Sequence, residues 1–300
     1  MHHARARRGV FPPELRARAT ATACSLPCDQ AVPLARWSRA ELIRKLAAQP
    51  SLAAVSAGTI GRWLREEQIR PWRYRMWQHI HDPEAFLARA GPVLQLYAQA
   101  GHLLSSGTWL VCVDEKTSIQ AREAEQAPRP AIRRHAQRQS PRYKRRGSRH
   151  LIAGLSVADG HILGQCMARK RFMDFQSFIS TVVVPEAQRR GMHTVALILD
   201  NGTTHAPKQL ERWLREQAAR LGWAVRFQVH WLPPNASWLD QIEIWFSILQ
   251  RKLLQPNHFV SVAALEQAIS DFMSYYNETA KPIKWTYTVE KLERKLGTHL

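Results

Sequence analysis

Acid, cysteine and long apolar runs are all scarce in this 300-residue sequence. Only 24 Asp and Glu stand against 43 Lys and Arg, a formal charge of +19. A field of that sign attracts polyanions, of which nucleic acid is the commonest in a cell. It fixes the class of partner and nothing finer, because ribosomal, membrane-surface and heparin-binding proteins share it. The four cysteines, Cys24, Cys28, Cys112 and Cys166, make no framework. Cys24 and Cys28 lack a second Cys/His pair at zinc spacing, and the other two lie in apolar runs, so all four read as reduced thiols of a cytosolic protein. No apolar run nears the roughly 18 residues of a membrane span. The opening MHHARARRGVFPP has no apolar stretch behind its charges and so is no signal peptide. Also missing are a phosphate-binding glycine loop, a dinucleotide fingerprint and a nucleophile elbow. The thirteen histidines show no metalloprotease spacing.

What is present divides into three stretches. Residues 1–35, rich in Arg, Ala and Pro, read as an irregular basic arm. Residues 36–78 carry two short helical patterns. Ser38-Arg39-Ala40-Glu41 has the form of a capping box, followed by Leu42, Ile43, Leu46 and Ala47 at helical spacing. A second helix from Ser56 turns Ile60, Trp63 and Leu64 inward and Thr59, Arg62 and Arg65 outward. Two readings of this pair stand: a helix-turn-helix whose second helix enters the DNA major groove, or a helical hairpin with solvated charges. The following Arg70-Pro71-Trp72-Arg73-Tyr74-Arg75 interleaves cations and aromatics and favours the first, with Arg73 and Arg75 against phosphates.

From residue 79 a helix over Pro83–Ala100 leads into alternating strands and helices. Trp109–Val113 is a strand ending at Asp114. Leu151–Val157 and Ile162–Met167 flank Asp159-Gly160, a hairpin signal. Phe175–Val184 reads as a helix, Val195–Leu199 as a strand ending at Asp200, and Pro207–Leu221 as a helix. Val225–Val229 is a strand, Ser237–Leu254 one long helix, and Val262–Tyr276 the last helix. The order implies a mixed α/β sheet covered by helices. Between Arg129 and Arg149 there are nine Arg or Lys and no acid, which reads as a mobile basic loop for a polyanion. Arg133, Arg134, Arg142, Lys144, Arg145 and Arg146 are its candidate phosphate contacts.

Three carboxylates stand out by position. Asp114 and Asp200 end core strands, where sites of α/β sheets form. Glu243 lies among Leu239, Ile242, Ile244, Trp245, Phe246 and Leu249, so it is expected to be partly buried with no nearby cation, a setting for a metal. Converging carboxylates suit hard divalent cations and two-metal phosphoryl transfer. Asp240 has a structural explanation as the acid of a second capping box, Ser237-Trp238-Leu239-Asp240. His205 stands equally as a site residue or as a cap for the next helix.

Val113-Asp114-Glu115-Lys116, Leu199-Asp200-Asn201-Gly202-Thr203-Thr204-His205 and the run from Pro233 to Phe246, PPNASWLDQIEIWF, resemble three catalytic blocks of one family. These are the bacterial insertion-sequence six-thirty transposases, related to mariner elements and grouped with the DDE superfamily endonucleases. The resemblance runs from about Ala31 to the C-terminus. It implies a ribonuclease-H-like fold over 79–300, with Asp114, Asp200 and Glu243 as catalytic and metal-binding triad. It implies two Mg²⁺ (or Mn²⁺) ions, the element's terminal inverted repeats and target DNA as double-stranded substrates, a homodimer on DNA, and a cytoplasmic location on the bacterial nucleoid. The chain departs from the family pattern twice. Asp240 replaces an Asn and adds a charge on Glu243's helical face, where it would disturb or supplement metal binding. The arm replaces a first helix-turn-helix, as in a truncated copy. A catalytically dead DNA-binding remnant, a nuclease that does not join strands and a basic structural protein are the rival readings.

Overall fold

The structure, a computed structural model, describes residues 11–74, 80 and 82–297. The chain divides into two compact units, Met1–His79 and Ile80–Leu300.

The first unit is helical. Helix α1 (Pro13–Cys24) occupies most of the stretch expected to be an irregular arm. Its prolines mark the start of the helix and do not break it: Pro13 takes the first helical position, where the missing N–H costs nothing. Ala19 and Ala23 then bury against the next two helices. Helix α2 (Arg39–Ala47) is capped by Ser38, whose side chain accepts from Glu41 N–H, and α3 (Ala57–Glu66) by Ser56, which accepts from Thr59 N–H. Trp37, Leu42, Leu46, Leu52, Ile60 and Leu64 form their shared core. Arg16 of α1 is paired with Glu66 and Glu67 at the end of α3.

The second unit is built on one five-stranded sheet of order β3-β2-β1-β4-β5. Helix α4 (Pro83–Ser105) precedes β1 (Thr108–Ala124), which pairs antiparallel with β2 (Tyr143–Ser156); β2 pairs antiparallel with β3 (Ile162–Met167). Helix α5 (Phe172–Phe178) runs through a π-helical turn into α6 (Val184–Arg189). Strand β4 (Thr194–Leu199) lies parallel to β1, and after α7 (Leu210–Leu221), β5 (Arg226–Trp231) lies parallel to β4. A 3-10 turn at Ser237–Leu239 leads into α8 (Ile242–Leu249), followed by α9 (Val262–Asn277) and α10 (Val289–Gly297). Helices α4, α8, α9 and α10 cover one face of the sheet, packing on Leu110, Cys112, Ala196 and Ile198. The α5–α6 and α7 helices cover the other, on Trp109, Val111, Val195 and Leu197.

Three expectations are corrected here. The basic stretch is not a mobile loop: Tyr143–Arg149 belongs to β2, which extends with β1 well past the sheet's core, and Arg129 and Arg138 pair across a small hairpin. Alternation was hidden because both faces of this arm are exposed and basic. Ser237–Leu254 is not one helix, since the backbone is extended at Asp240 and α8 starts only at Ile242. Val262–Asn277 is not the last helix, because α10 follows it. Among the described residues no helix is long and apolar enough to cross a membrane.

Candidate active site

Sheet register brings the first two acids together. The last paired residues of the parallel strands β1 and β4 are Cys112 and Ile198. Asp114 and Asp200 each follow two residues later, so they stand side by side where β4 ends; Asp114 does not end its strand as expected, because β1 runs on to Ala124 paired with β2. Asp114 shares the face of Leu110 and Cys112, which is the face covered by α8. Its neighbour Glu115 falls on the opposite face, toward His205 and Phe175.

The loop after β4 is folded tightly around Asp200. Asp200 Oδ1 accepts from Gly202 N–H at 2.8 Å and lies 2.8 Å from His205 Nδ1. A Cβ at position 202 would meet that same oxygen at 2.8 Å, so a larger residue there would push the carboxylate aside. Asn201 Nδ2 donates to Leu232 C=O at 2.7 Å and ties the loop to the end of β5. His205 is fully buried, its ring set edge-on against Phe175. Its Nε2 approaches Glu115 Oε2 to 3.3 Å as an ion pair without hydrogen-bond alignment. Glu115 Oε1 accepts from Thr204 Oγ1 at 2.6 Å.

Three acids around one imidazole make a strongly biased field. Burial, with Glu115 and Asp200 as like-charged neighbours, pushes the Asp114 carboxyl up to about 7, against the pull of its hydrogen bond from Glu115 N–H. Asp200 is held below its ordinary value by the His205 hydrogen bond. Burial alone would lower His205, but its contacts with Asp200 and Glu115 outweigh that and raise it to about 10. Glu115 is lowered because His205 and Thr204 outweigh its burial. Ligand-capable atoms of Asp114, Glu115 and His205 lie within 4.8 Å of one another. The carboxylate oxygens of Asp114 and Glu115, the one destabilised by its neighbours and the other with a buried, unaligned Oε2, fit a hard divalent cation, whereas protonated His205 has no lone pair to give and orients the acids around it.

The other expected site residues fall elsewhere. Glu243 is exposed, not partly buried. In the short α8 the stripe Ile242, Trp245, Phe246 and Leu249 faces the core and turns Glu243, Ile244 and Ser247 outward, so water solvates the carboxylate. Asp240 is not a solvated first-turn cap. It is 1% exposed, its Oδ1 accepts from Ile242 N–H at 3.2 Å and its Oδ2 has no partner. Burial, then the charge of Asp114, drives its carboxyl well above the carboxylate range. Tyr97 Oη fixes the preceding turn by donating to Leu239 C=O at 2.9 Å. Glu115 and Thr204 were not singled out from sequence; a strand acid beside Asp114 gives no periodic signal, and only the fold turns it onto His205.

The candidate DNA contacts are spread over both units. Arg65 is exposed on α3, while Thr59 and Arg62 are half-buried, Thr59 joined to Ser56 Oγ and Arg62 near Glu66. Arg73 is exposed beside Tyr74, and Arg75 lies outside the described residues. Arg133, Arg134, Arg142, Lys144, Arg145 and Arg146 are all exposed, with Arg146 paired to Glu123.

A family model described as DDE superfamily endonuclease matches residues 109–266. No curated protein matches the chain. Among solved structures, the chain is similar to the Mos1 mariner paired-end complex with Mg at a TM-score of 0.53 and 14% identity, covering 99% of this chain and 83% of that one. The corresponding complex with Mn gives a TM-score of 0.51 at 16% identity, over 99% and 79%. The Mos1 strand transfer complex gives 0.50 at 15% identity, over 98% and 79%. At these identities the likeness is one of fold, and it places the mixed sheet and its covering helices among ribonuclease-H-like domains.

Proposed function

The chain belongs to the DDE superfamily of endonucleases, and from that premise we propose that it is a DNA transposase that cuts at its element's terminal inverted repeats and joins the freed 3′ ends to target DNA. The observation that carries this reading is the adjacency of Asp114 within β1 and Asp200 just past the end of β4, with Glu115 and His205 behind them. Asp114 and Asp200 would hold the cations, with Glu243 completing the set from the outer side of α8. Mg²⁺ or Mn²⁺, as two ions, would supply activation of the attacking oxygen and charge neutralisation at the leaving one. His205 holds the Asp200 carboxylate in one orientation. Glu115 holds His205 from its far side, and Thr204 holds Glu115.

DNA is brought to these acids by the chain's cations. The exposed arm of β1 and β2 carries Arg142, Lys144 and Arg145, and α3 carries Arg65. Backbone phosphates are the ligand such arrays bind, while Arg65 and Thr59 on α3 suit the reading of a repeat. Double-stranded inverted repeats and target DNA are the partners, and joining two ends calls for two copies of the chain. Related structures were solved as paired-end and strand-transfer complexes, with Mg and Mn in the former, which supports this choice.

The test is a labelled duplex carrying the element's end, incubated with the protein, Mg²⁺ and a target plasmid. Cleaved ends joined to the plasmid are the expected product. Cleavage without joining would make the protein a nuclease, and binding without cleavage would make it an inactive remnant.

A further inference from the structure

The two edges of the sheet are finished differently. At the β3 edge Asn277 of α9 takes the place of a further strand: its Nδ2 donates to Ile162 C=O and its Oδ1 accepts from Ile162 N–H, both at 2.9 Å. Strand β5 forms the other edge, and among the described residues nothing pairs with its outer side. The N–H groups of Arg226 and Leu232 donate inward, to His193 and Leu199 C=O. Parallel pairing alternates along a strand, so the backbone groups of Phe227, Val229 and Trp231 point to the open side. The strand, RFQVHW, carries no Pro, Lys or bulge and has one charge, Arg226, at its start. The devices that normally guard an open edge are missing.

A groove of about 500 Å³ lies between this edge and α7. Gln228 lines it as well as Phe227 and Val229, which project to the opposite face of the sheet, so the groove wraps the free edge. Leu214, Ala218, Trp223 and Val225 complete an apolar floor. Glu211 and Arg215 form its rim on α7, both exposed and one turn apart, on the same helix face as Leu214 and Ala218. Trp231 Nε1 donates to Glu211 at 3.4 Å, which sets the start of α7 beside the end of β5.

We propose that this edge is an interface between two copies of the chain. A twofold axis across it sets the two β5 strands antiparallel, joins two five-stranded sheets into one and lays the α7 helices side by side. The open N–H and C=O groups then pair with each other and the apolar floors cover one another. Charge is self-complementary too, because Glu211 meets Arg215 of the partner subunit on both sides of the axis. A lone peptide strand would satisfy the backbone but leave the α7 rim uncovered, and a small apolar ligand would leave the backbone unpaired. The inference stands apart from the proposed reaction, which needs two copies but not this contact.

The test is sedimentation of the full chain, free of DNA, over a KCl series that screens its +19 charge. The expected mass is twice 34.4 kDa. Val229→Pro removes an outward N–H and spares the pairing with β4, so it should leave a folded monomer. Glu211→Arg and Arg215→Glu, each alone, should weaken the dimer about tenfold, and the two together should restore it. Circular dichroism checks folding, and where Val229→Pro does not fold the charge exchange decides. A monomeric parent overturns the interface. So does a dimer that ignores the charge variants or survives in folded Val229→Pro. Cleavage of a labelled duplex by the same proteins in Mg²⁺ reads the reaction separately, so the interface and the reaction can fail independently.

Discussion

Asp114 and Asp200 are neighbours because the parallel pairing of β1 and β4 stops in register two residues before each, and their like charges conflict. The sign of the resulting pH effect follows from the Asp114 carboxyl, raised to about 7. Below the unfolded carboxylate value both states are protonated and nothing is lost. As pH rises toward 7 the unfolded chain has released this proton and the folded one has not, so the metal-free fold loses stability, fully so above 7. A bound divalent cation removes that penalty. Thermal melts should therefore show Mg²⁺ stabilising the protein more strongly above pH 7 than below it. Equal stabilisation on both sides would contradict a cation at Asp114. His205, raised to about 10, keeps its charge across this range and does not account for the effect. His205→Ala should weaken Mn²⁺ binding by about 10–100-fold while Asp114 remains, as expected for a group that orients a ligand. Titration calorimetry reads this directly, and an unchanged affinity would reduce His205 to packing. Of these residues, Asp114 and Asp200 were legible as acids that follow apolar strand runs, although β1 runs on past Asp114 to Ala124. Glu115 was not, because its role depends on which face of β1 meets His205. Asp240 was misread because a capping pattern looks the same whether the acid is solvated or buried.

Elements hold the site through a few specific joints. Trp245 of α8 is fully buried against Phe246, Phe272 and Tyr276 and fixes the helix that carries Glu243. Trp245→Ala should cost about 3–5 kcal/mol in urea unfolding. A loss below about 1 kcal/mol would mean that α8 repacks easily. At the far end of the sheet Arg190 joins three elements. It pairs with Asp159 of the β2–β3 turn and Glu186 of α6, each at 2.6 Å, and lies over the Trp109 ring at 5.0 Å. Burial raises both carboxyls, but hydrogen bonds from Ser156 and then Arg190 hold Asp159 below its ordinary value, and those from Arg189 and then Arg190 do so for Glu186. That stability is present above the unfolded carboxylate range and is lost as pH falls through the lowered folded values. Arg190→Ala should flatten the acid limb of the stability curve as well as lower its height; an unchanged acid limb would show the pairs to be idle. Elements with explicit local chemistry were readable in advance: the Ser38 cap, the helix start at Ser56 and the Asp159-Gly160 turn of β2–β3. Those whose evidence is tertiary were not. Helix α1 has almost no apolar stripe and is fixed by Ala19 and Ala23 packing, and the outer β1–β2 arm is basic on both faces.

At the scale of the whole molecule the formal +19 charge is the dominant fact. Binding through phosphates releases counterions, so log affinity falls linearly with log salt. Replacing Arg142, Lys144 and Arg145 with Gln should reduce that slope by about 2–3 if each meets one phosphate. Anisotropy across a KCl series measures it. An unchanged slope would place the DNA away from the β1–β2 arm. Charge would gather DNA, but the proposed chemistry depends on Asp114 and Asp200. A plasmid carrying the element's two ends, incubated in Mg²⁺ with the protein or with its Asp200→Ala variant, tests that dependence most directly. Excision by the parent and none by the variant is the expected result. Excision by both would remove Asp200, and the site built around it, from the reaction.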